Sequence, residues 1–326
     1  MINWGIAGLG RMGNAFANAI TEVKNSKLVG IASKSNYKLK TFSNNFKIEP
    51  ENRFTNYDEL LKLNKIDAIY ISTLNNTHVD LIINCIENKK KILCEKPIGL
   101  NLAQANLAFE MIKKHKISFY EAIAYRTHPQ TKNLLELIHN GEIGKIYKIE
   151  ASFGFKVKRI KKDSRLFNKD FGGGAILDLG CYPISFFNLF ADKHNKISFK
   201  SAEGTHCYTG VDDDAKIKLK IGNDIDAIGT VSLKKNLSNN CKIFGEKGSI
   251  VIPSPWLPHQ KSYIEVENNK SYYKQFTTTE KSVYAHQIEN IANLFVNNSL
   301  ENSNVVNINE SIEIMKILDV WKLGLL

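Results

Sequence analysis

Cysteine is scarce in this chain, and the five present (Cys85, Cys94, Cys181, Cys207 and Cys241) are odd in number, far apart and without a CxxC pair. That excludes a disulfide framework and a Cys-based zinc site, and predicts a protein of the reducing cytoplasm. No apolar run is long enough to span a bilayer, so a membrane protein is not expected. The start, Met1-Ile2-Asn3-Trp4, leads straight into an apolar strand, where a signal peptide would need a basic and then a hydrophobic region. His115, His139, His206 and His259 have no ligand spacing, and no metal is expected. Acidic residues are the scarcer charge, 33 against 44 Lys and Arg, for a formal net charge of +11. The lysines are spread among asparagines and isoleucines over the whole chain. That is a bias common to every surface rather than a groove for nucleic acid, and its field would favour an anionic cofactor.

What is present is an ordered alternation. Apolar runs at Ile2–Gly8, Lys27–Ala32, Ala68–Ser72, Lys91–Cys94 and Ile117–Glu121 read as strands. Between them, Arg11–Glu22, Tyr37–Phe46, Asp58–Leu63, Thr77–Glu87 and Leu102–Lys114 read as helices, the rhythm of a doubly wound parallel sheet. With 326 residues the chain is too long for one core. The rhythm changes near Tyr125, and we expect a Rossmann domain over 1–121 and a substrate-binding and oligomerisation domain over 122–326. In the latter, His128–His139 reads as a helix closed by Asn140-Gly141, Ile146–Lys158 as a long strand and Gly174–Phe190 as a helix. From Ile197 to Phe276, strands are punctuated by turn signals at Tyr208-Thr209-Gly210, Gly222-Asn223-Asp224, Gly245-Glu246-Lys247-Gly248 and Asn268-Asn269. They predict a large, mostly antiparallel open sheet, and helices near Ser282–Val296 and Asn309–Leu323 close the chain. We expect the helices at Gly174–Phe190 and Ser282–Val296 to cover one face of that sheet. The other face, with alternating apolar positions on Ile217–Ile221 and Ile225–Leu233, is expected to pair subunits into a homodimer or homotetramer.

Gly8-Leu9-Gly10-Arg11-Met12-Gly13 fits G-x-G-x-x-G between the first strand and the first helix. Gly8 permits the tight turn, Gly10 lets a pyrophosphate approach the backbone, and Gly13 lets helix and sheet pack closely. The phosphates would rest on the amides that open the helix. The second strand ends Ala32-Ser33-Lys34-Ser35 without the acid that would bind the ribose 2′-hydroxyl of NAD. Ser33 can donate to a 2′-phosphate, and Lys34 with Arg11 can neutralise it, so NADP is preferred over NAD.

Two further groups of residues stand where ligands bind in such sheets, at carboxyl ends of strands. They are Thr73-Leu74-Asn75-Asn76-Thr77-His78 and Cys94-Glu95-Lys96-Pro97. A third segment, Gly172-Gly173-Gly174-Ala175-Ile176-Leu177-Asp178-Leu179-Gly180-Cys181-Tyr182, places Asp178 and Tyr182 four apart, on one face if helical. The glycine fingerprint, T-x-N-x-x-H, E-K-P and GGG…D-x-G-x-Y, in this order along nearly the whole chain, resemble the glucose–fructose oxidoreductase, inositol dehydrogenase and rhizopine-catabolism (Gfo/Idh/MocA) family. Glu121-Ala122-Ile123-Ala124-Tyr125-Arg126-Thr127-His128-Pro129 and Gly180-Cys181-Tyr182-Pro183 are most similar to its dihydrodiol dehydrogenase, xylose dehydrogenase and glucose–fructose oxidoreductase branch. Many members carry histidine where this chain has Tyr182, which weakens the inference towards inositol.

The resemblance implies hydride transfer between a nicotinamide and a secondary alcohol or carbonyl of a sugar, polyol or vicinal diol. Lys96, next to Glu95 and held by Pro97 (often a cis peptide in the family), would hydrogen-bond the reacting oxygen. Tyr182 would shuttle its proton, with a cationic Lys96 lowering the phenol pKa. Asp178 would orient this pair or bind a substrate hydroxyl. Arg126 and Arg165 would line the substrate cleft, and Thr73, Asn75 and His78 would contact the nicotinamide half of the cofactor. Gly8, Gly10, Arg11, Met12, Gly13, Ser33, Lys34, Glu95 and Lys96 complete the cofactor set. Oxidation of cyclic trans-dihydrodiols is a variant of the same chemistry. A dinucleotide-binding sensor without turnover is the alternative of another class, and retention of Lys96, Asp178 and Tyr182 speaks against it.

Overall fold

A computed structural model describes residues 1–192, 194–297 and 304–325. The chain divides into two compact units, Met1–Thr127 with Lys281–Ile312, and His128–Glu280 with Glu313–Leu326.

The first unit runs β1 (Ile2–Ala7), α1 (Arg11–Ala19), β2 (Ser26–Ala32), α2 (Asn36–Phe46), β3 (Arg53–Phe54), α3 (Tyr57–Leu61), β4 (Ala68–Ile71), α4 (His78–Glu87), β5 (Lys91–Glu95), α5 (Leu102–His115) and β6 (Phe119–Ala122). Its six strands lie in the order β3-β2-β1-β4-β5-β6 and all pair in parallel. This is the dinucleotide-binding order, in which the chain reverses direction between β1 and β4 and opens a crevice at their carboxyl ends. Strand interiors are covered on both faces: every residue of β4 and of β6 is buried, Glu121 of β6 included. Helices begin where the sequence offers caps. Ser35, Asn56 and Asn101 accept from the backbone N–H of Lys38, Asp58 and Gln104.

The second unit runs α6 (Pro129–His139), β7 (Ile146–Gly154), α7 (Ala175–Leu179), α8 (Cys181–Phe187), β8 (Ile197–His206), β9 (Asp212–Ile221), β10 (Ile225–Ser232), β11 (Cys241–Gly245), β12 (Gly248–Ile252), β13 (Lys261–Asn268) and β14 (Ser271–Thr278). These strands form one sheet, β14-β13-β12-β11-β7-β10-β9-β8, antiparallel throughout except for the parallel pair β7 and β10. Each of the four turn signals lies between consecutive strands, and Gly210 and Gly222 adopt positive φ there. Two helices follow, α9 (Val283–Asn297) and α10 (Ile308–Leu323), the latter beginning in the first unit and ending in the second.

Four expectations need correction. The segment at Ser282–Val296 does not cover the second sheet. As α9 it packs on the first unit, where Ile288, Ile291 and Phe295 join the core of Trp4, Ile6, Phe16, Tyr70 and Tyr120. An amphipathic stripe dictates that a helix is buried but not against which sheet. The segment Gly174–Phe190 is not one helix but α7, α8 and a 3₁₀ turn at Asn188–Phe190. Pro183 has no N–H to give the Leu179 carbonyl, so the ladder breaks between them. The strand from Ile146 ends at Gly154 rather than Lys158, although Phe155 and Val157 still donate to Ser232 and Leu233. Finally, the apolar positions of β9 (Ala215, Ile217, Leu219, Ile221) are buried beneath α7, while Lys216 and Lys220 on its other face pair with Glu203 and Asp226.

Candidate active site

In the first unit, β1 ends in the glycine turn. Gly8 takes φ +100° and lies so close to β4 that a Cβ on it would stand 2.7 Å from the Ser72 carbonyl oxygen. The Ser72 hydroxyl donates to the Gly8 carbonyl at 2.7 Å, closing the base of the crevice. Gly13 has no room for a Cβ against the Gly8 carbonyl, whereas the space beside Gly10 is open. The absence of atoms beside Gly10, with no acid in the first turn of α1 and Arg11 exposed there, fits the pyrophosphate of a dinucleotide. Met12 follows in the same turn. At the end of β2, Ser33 is buried; its hydroxyl oxygen accepts from the Ser35 N–H at 3.2 Å, leaving its own O–H to donate, and Lys34 is exposed.

Past β4, Thr73 accepts a hydrogen bond from the Thr77 hydroxyl at 2.7 Å, and Asn75 opens a 3₁₀ turn leading into α4. His78 is completely buried. Its Nδ1 lies 2.9 Å from the Pro97 carbonyl oxygen and its Nε2 3.4 Å from that of Thr73. Burial lowers its pKa to about 4, so the ring is neutral and donates to Pro97. This ring therefore ties the loop after β4 to the loop after β5 from below. Lys96–Pro97 is a cis peptide bond. Glu95, the last residue of β5, is buried and accepts from the Tyr70 hydroxyl. Burial raises its pKa while Tyr70, Lys96 and Arg11 pull it down. Tyr284, from α9, has its phenol raised by burial and by Glu95 and lowered by Arg11 and Lys96. Lys96 and Arg11 thus act on the same two groups. Arg126 is placed otherwise: it is buried in the turn after β6, with both terminal guanidinium nitrogens 3.0 Å from Glu310 Oε1 of α10.

In the second unit, the three glycines have distinct tasks. Gly173 passes so close to the Leu166 and Asn168 carbonyls that a Cβ would sit 2.8 Å from each. Gly174 takes φ +114° and leaves no room for a Cβ beside Asp212 Oδ1. Asp212 Oδ2 accepts from the Ile176 N–H at 2.7 Å, supplying from β9 the cap that α7 lacks locally. So anchored, α7 and α8 present Asp178 and Tyr182 a turn apart. The Asp178 side chain is buried and bound by Arg165 at 2.8 Å, whose own side chain is half exposed. The Tyr182 ring meets Phe153 edge-on at 5.0 Å and Trp256 at 5.9 Å. Trp256 is fixed in turn by its indole N–H, which donates to the Ser152 carbonyl at 2.8 Å.

The three sequence segments therefore come together in two groups. Thr73, Asn75, His78, Glu95, Lys96 and the glycine turn gather in the first unit; Arg165, Asp178 and Tyr182 gather in the second. Sequence reasoning did not single out Tyr70, Tyr284, Asp212, Phe153 or Trp256, and gave Glu121 no role. Only Asp212 left a signal, in the run Asp212-Asp213-Asp214. The aromatics are indistinguishable from core residues until the sheet is assembled. Among the described residues no helix is long and apolar enough to cross a membrane.

Comparison with known proteins agrees with this geometry. Residues 2–122 match the family described as oxidoreductase family, NAD-binding Rossmann fold, and residues 131–251 match the GFO/IDH/MocA C-terminal domain. Trans-1,2-dihydrobenzene-1,2-diol dehydrogenase of Xenopus tropicalis is 32% identical over 258 residues, 78% of this chain and 76% of that protein. The Homo sapiens protein of the same name is 28% identical over 262 residues, 79% of this chain and 76% of its own. Among solved structures, the 3-ketoreductase KijD10 of Actinomadura kijaniata, in complex with NADP and TDP-benzene, superimposes with a TM-score of 0.89 at 22% identity, over 99% of this chain and 98% of its own. The aldose-aldose oxidoreductase of Caulobacter crescentus, complexed with glycerol, gives 0.89 at 17% identity, over 99% and 97%. At such identities these two report the fold. The dinucleotide crevice, the loop carrying Lys96 and the two matched domains lead to one conclusion: this chain belongs to the Gfo/Idh/MocA family of oxidoreductases, with an NAD-binding Rossmann domain.

Proposed function

We propose that the protein is an NADP-preferring dehydrogenase or reductase acting on a CH–OH group, or the matching carbonyl, of a sugar, polyol or vicinal diol. The observation that carries this reading is the glycine turn after β1, packed on Ser72 with open space at Gly10, in one parallel sheet with β5, whose carboxyl end leads into Lys96. The amides opening α1 and the side chain of Arg11 would hold the pyrophosphate, and Ser33 with Lys34 a 2′-phosphate. Bound there, a nicotinamide accepts or gives the hydride. Lys96 would hydrogen-bond the reacting oxygen, and the Tyr182 phenol would take up or return its proton. Asp178, held by Arg165, would bind a neighbouring hydroxyl or orient these groups. His78, closed in by Thr73 and Pro97, would position the Lys96 loop from behind.

A cyclic vicinal diol is the second reading. The rings of Phe153 and Trp256 beside Tyr182 favour a flat apolar substrate, and relatives 32% identical are named for such a diol. We further infer a cytoplasmic enzyme working as a homodimer or homotetramer.

The test is turnover with NADPH and NADH against sugars, polyols, lactones and trans-dihydrodiols, read at the reduced-nicotinamide band. Tyr182→Phe removes only a hydroxyl. It should lower kcat by about a hundredfold to ten-thousandfold with little change in cofactor affinity. Near-normal turnover in that variant would remove Tyr182 as the proton carrier, and binding without turnover on every substrate would favour a sensor.

A further inference from the structure

Glu121 is the penultimate residue of β6 and pairs in register with Cys94 of β5, which places it one strand over from Glu95 and Lys96. Its main chain is fixed: the N–H donates to the Val306 carbonyl at 3.1 Å. Its side chain is 1% exposed, and neither carboxylate oxygen has a hydrogen-bond partner among the described residues. A carboxyl in that condition is expensive to bury and needs a reason. The groups that act on it come from two directions. From α10 come the buried Ser311 hydroxyl, which favours the charged carboxyl, and Glu310, engaged by Arg126, which disfavours it. From the end of β5 come Lys96, which draws the carboxyl towards its charged form, and Glu95, which opposes it. Burial outweighs the attraction and pushes the carboxyl up to about 8.

We propose that Glu121 is a positioning residue that keeps the Lys96 side chain an ammonium where it meets the reacting oxygen. This rests on the reading of Lys96 given above. Below its own midpoint Glu121 is a neutral acid and Lys96 needs no help, because an amine is charged there in any case. Above it Glu121 is a carboxylate in a poorly solvated setting, and its charge opposes loss of the Lys96 proton. The two groups titrate as a coupled pair, so Lys96 senses the ionisation of Glu121 before it loses its own proton.

The amine can be watched directly in the cofactor-free protein after reductive ¹³C-methylation of its lysines. The Lys96 signal is assigned by its loss in Lys96→Arg. In the unmodified sequence the Lys96 shift should move in two steps, the first near pH 8. In Glu121→Gln the first step should vanish and the main midpoint fall by about one unit. The alkaline limb of the kcat/KM profile should move down with it. A carboxyl that only fills space would alter thermal stability and leave the Lys96 titration in place. A single-phase Lys96 curve in the unmodified protein overturns the proposal even if Glu121→Gln does not fold. An unshifted midpoint in a folded Glu121→Gln overturns it as well. Lys96→Met separates the two readings. If it is inactive while Glu121→Gln keeps the unmodified alkaline limb, only the role of Glu121 fails; if it turns over normally, the role of Lys96 fails and takes this one with it.

Discussion

Single residues decide what this crevice can hold. At the end of β2 the missing acid is as informative as the residues present. An aspartate there would accept from a ribose hydroxyl and repel a 2′-phosphate, whereas Lys34 attracts it and Ser33 retains a hydroxyl proton to offer. Lys34→Asp should therefore weaken NADPH binding by about tenfold to a hundredfold, the worth of one charge-assisted hydrogen bond, and improve NADH. Fluorescence titration with each cofactor checks this, and equal dissociation constants in the unmodified protein would remove the preference. His78 illustrates the limit of residue-scale reading. Its spacing from Thr73 was legible, but its complete burial was not. A polar residue opening a helix is ordinarily solvated, and only the packed loops reveal that both ring nitrogens face carbonyl oxygens.

At the scale of elements, the pair α7 and α8 depends on a contact distant in sequence. Gly174 combines φ +114° with the carboxylate of Asp212 occupying the place of its Cβ. Gly174→Ala must strain the backbone and push Asp212 off the Ile176 N–H. We expect a loss of about 1–3 kcal/mol in denaturant unfolding, and a fall in turnover as Asp178 and Tyr182 are displaced. Unchanged stability would mean that the Asp212 carboxylate moves aside freely. The three glycines announced a tight entrance in the sequence, and Pro183 announced a break. That β9 supplies the cap could not be read, because Asp212 lies 36 positions from Ile176. The placement of α9 was hidden for a related reason. Its apolar stripe suits either sheet, and what selects the first unit is the match of Ile288, Ile291 and Phe295 to a core already containing Trp4 and Phe16.

For the molecule as a whole, the wide second sheet is the feature that most affects assembly. Its outer face carries ion pairs, Lys148–Glu150 along β7 and, between neighbouring strands, Lys216–Glu203, Lys220–Asp226 and Lys274–Glu265. Exposed aromatics stand among them, Tyr147, Tyr272 and Phe276. Exposed charge pairs contribute little by themselves, so a subunit interface here would draw on the aromatics and use the charges for register. We expect a homodimer or homotetramer at micromolar concentration. Light scattering that gives a mass near 36.9 kDa would contradict it. Tyr272→Lys with Phe276→Lys should shift the assembly towards the monomer.

The sequence alone determined the alternation of strands and helices, the glycine turn and the strand-end position of Lys96. Each of these depends on a period, a spacing or a conformational preference within about 15 residues, which the chain carries locally. Tertiary structure decided the rest: the sheet that α9 covers, the residue that caps α7, the rings around Tyr182, and the burial of His78, Glu95 and Glu121. Those depend on how far water is excluded from a group and which distant atoms replace it. A carboxyl in solution and the buried carboxyl of Glu121 are written with the same letter, and only the packed chain removes the solvent that made them alike.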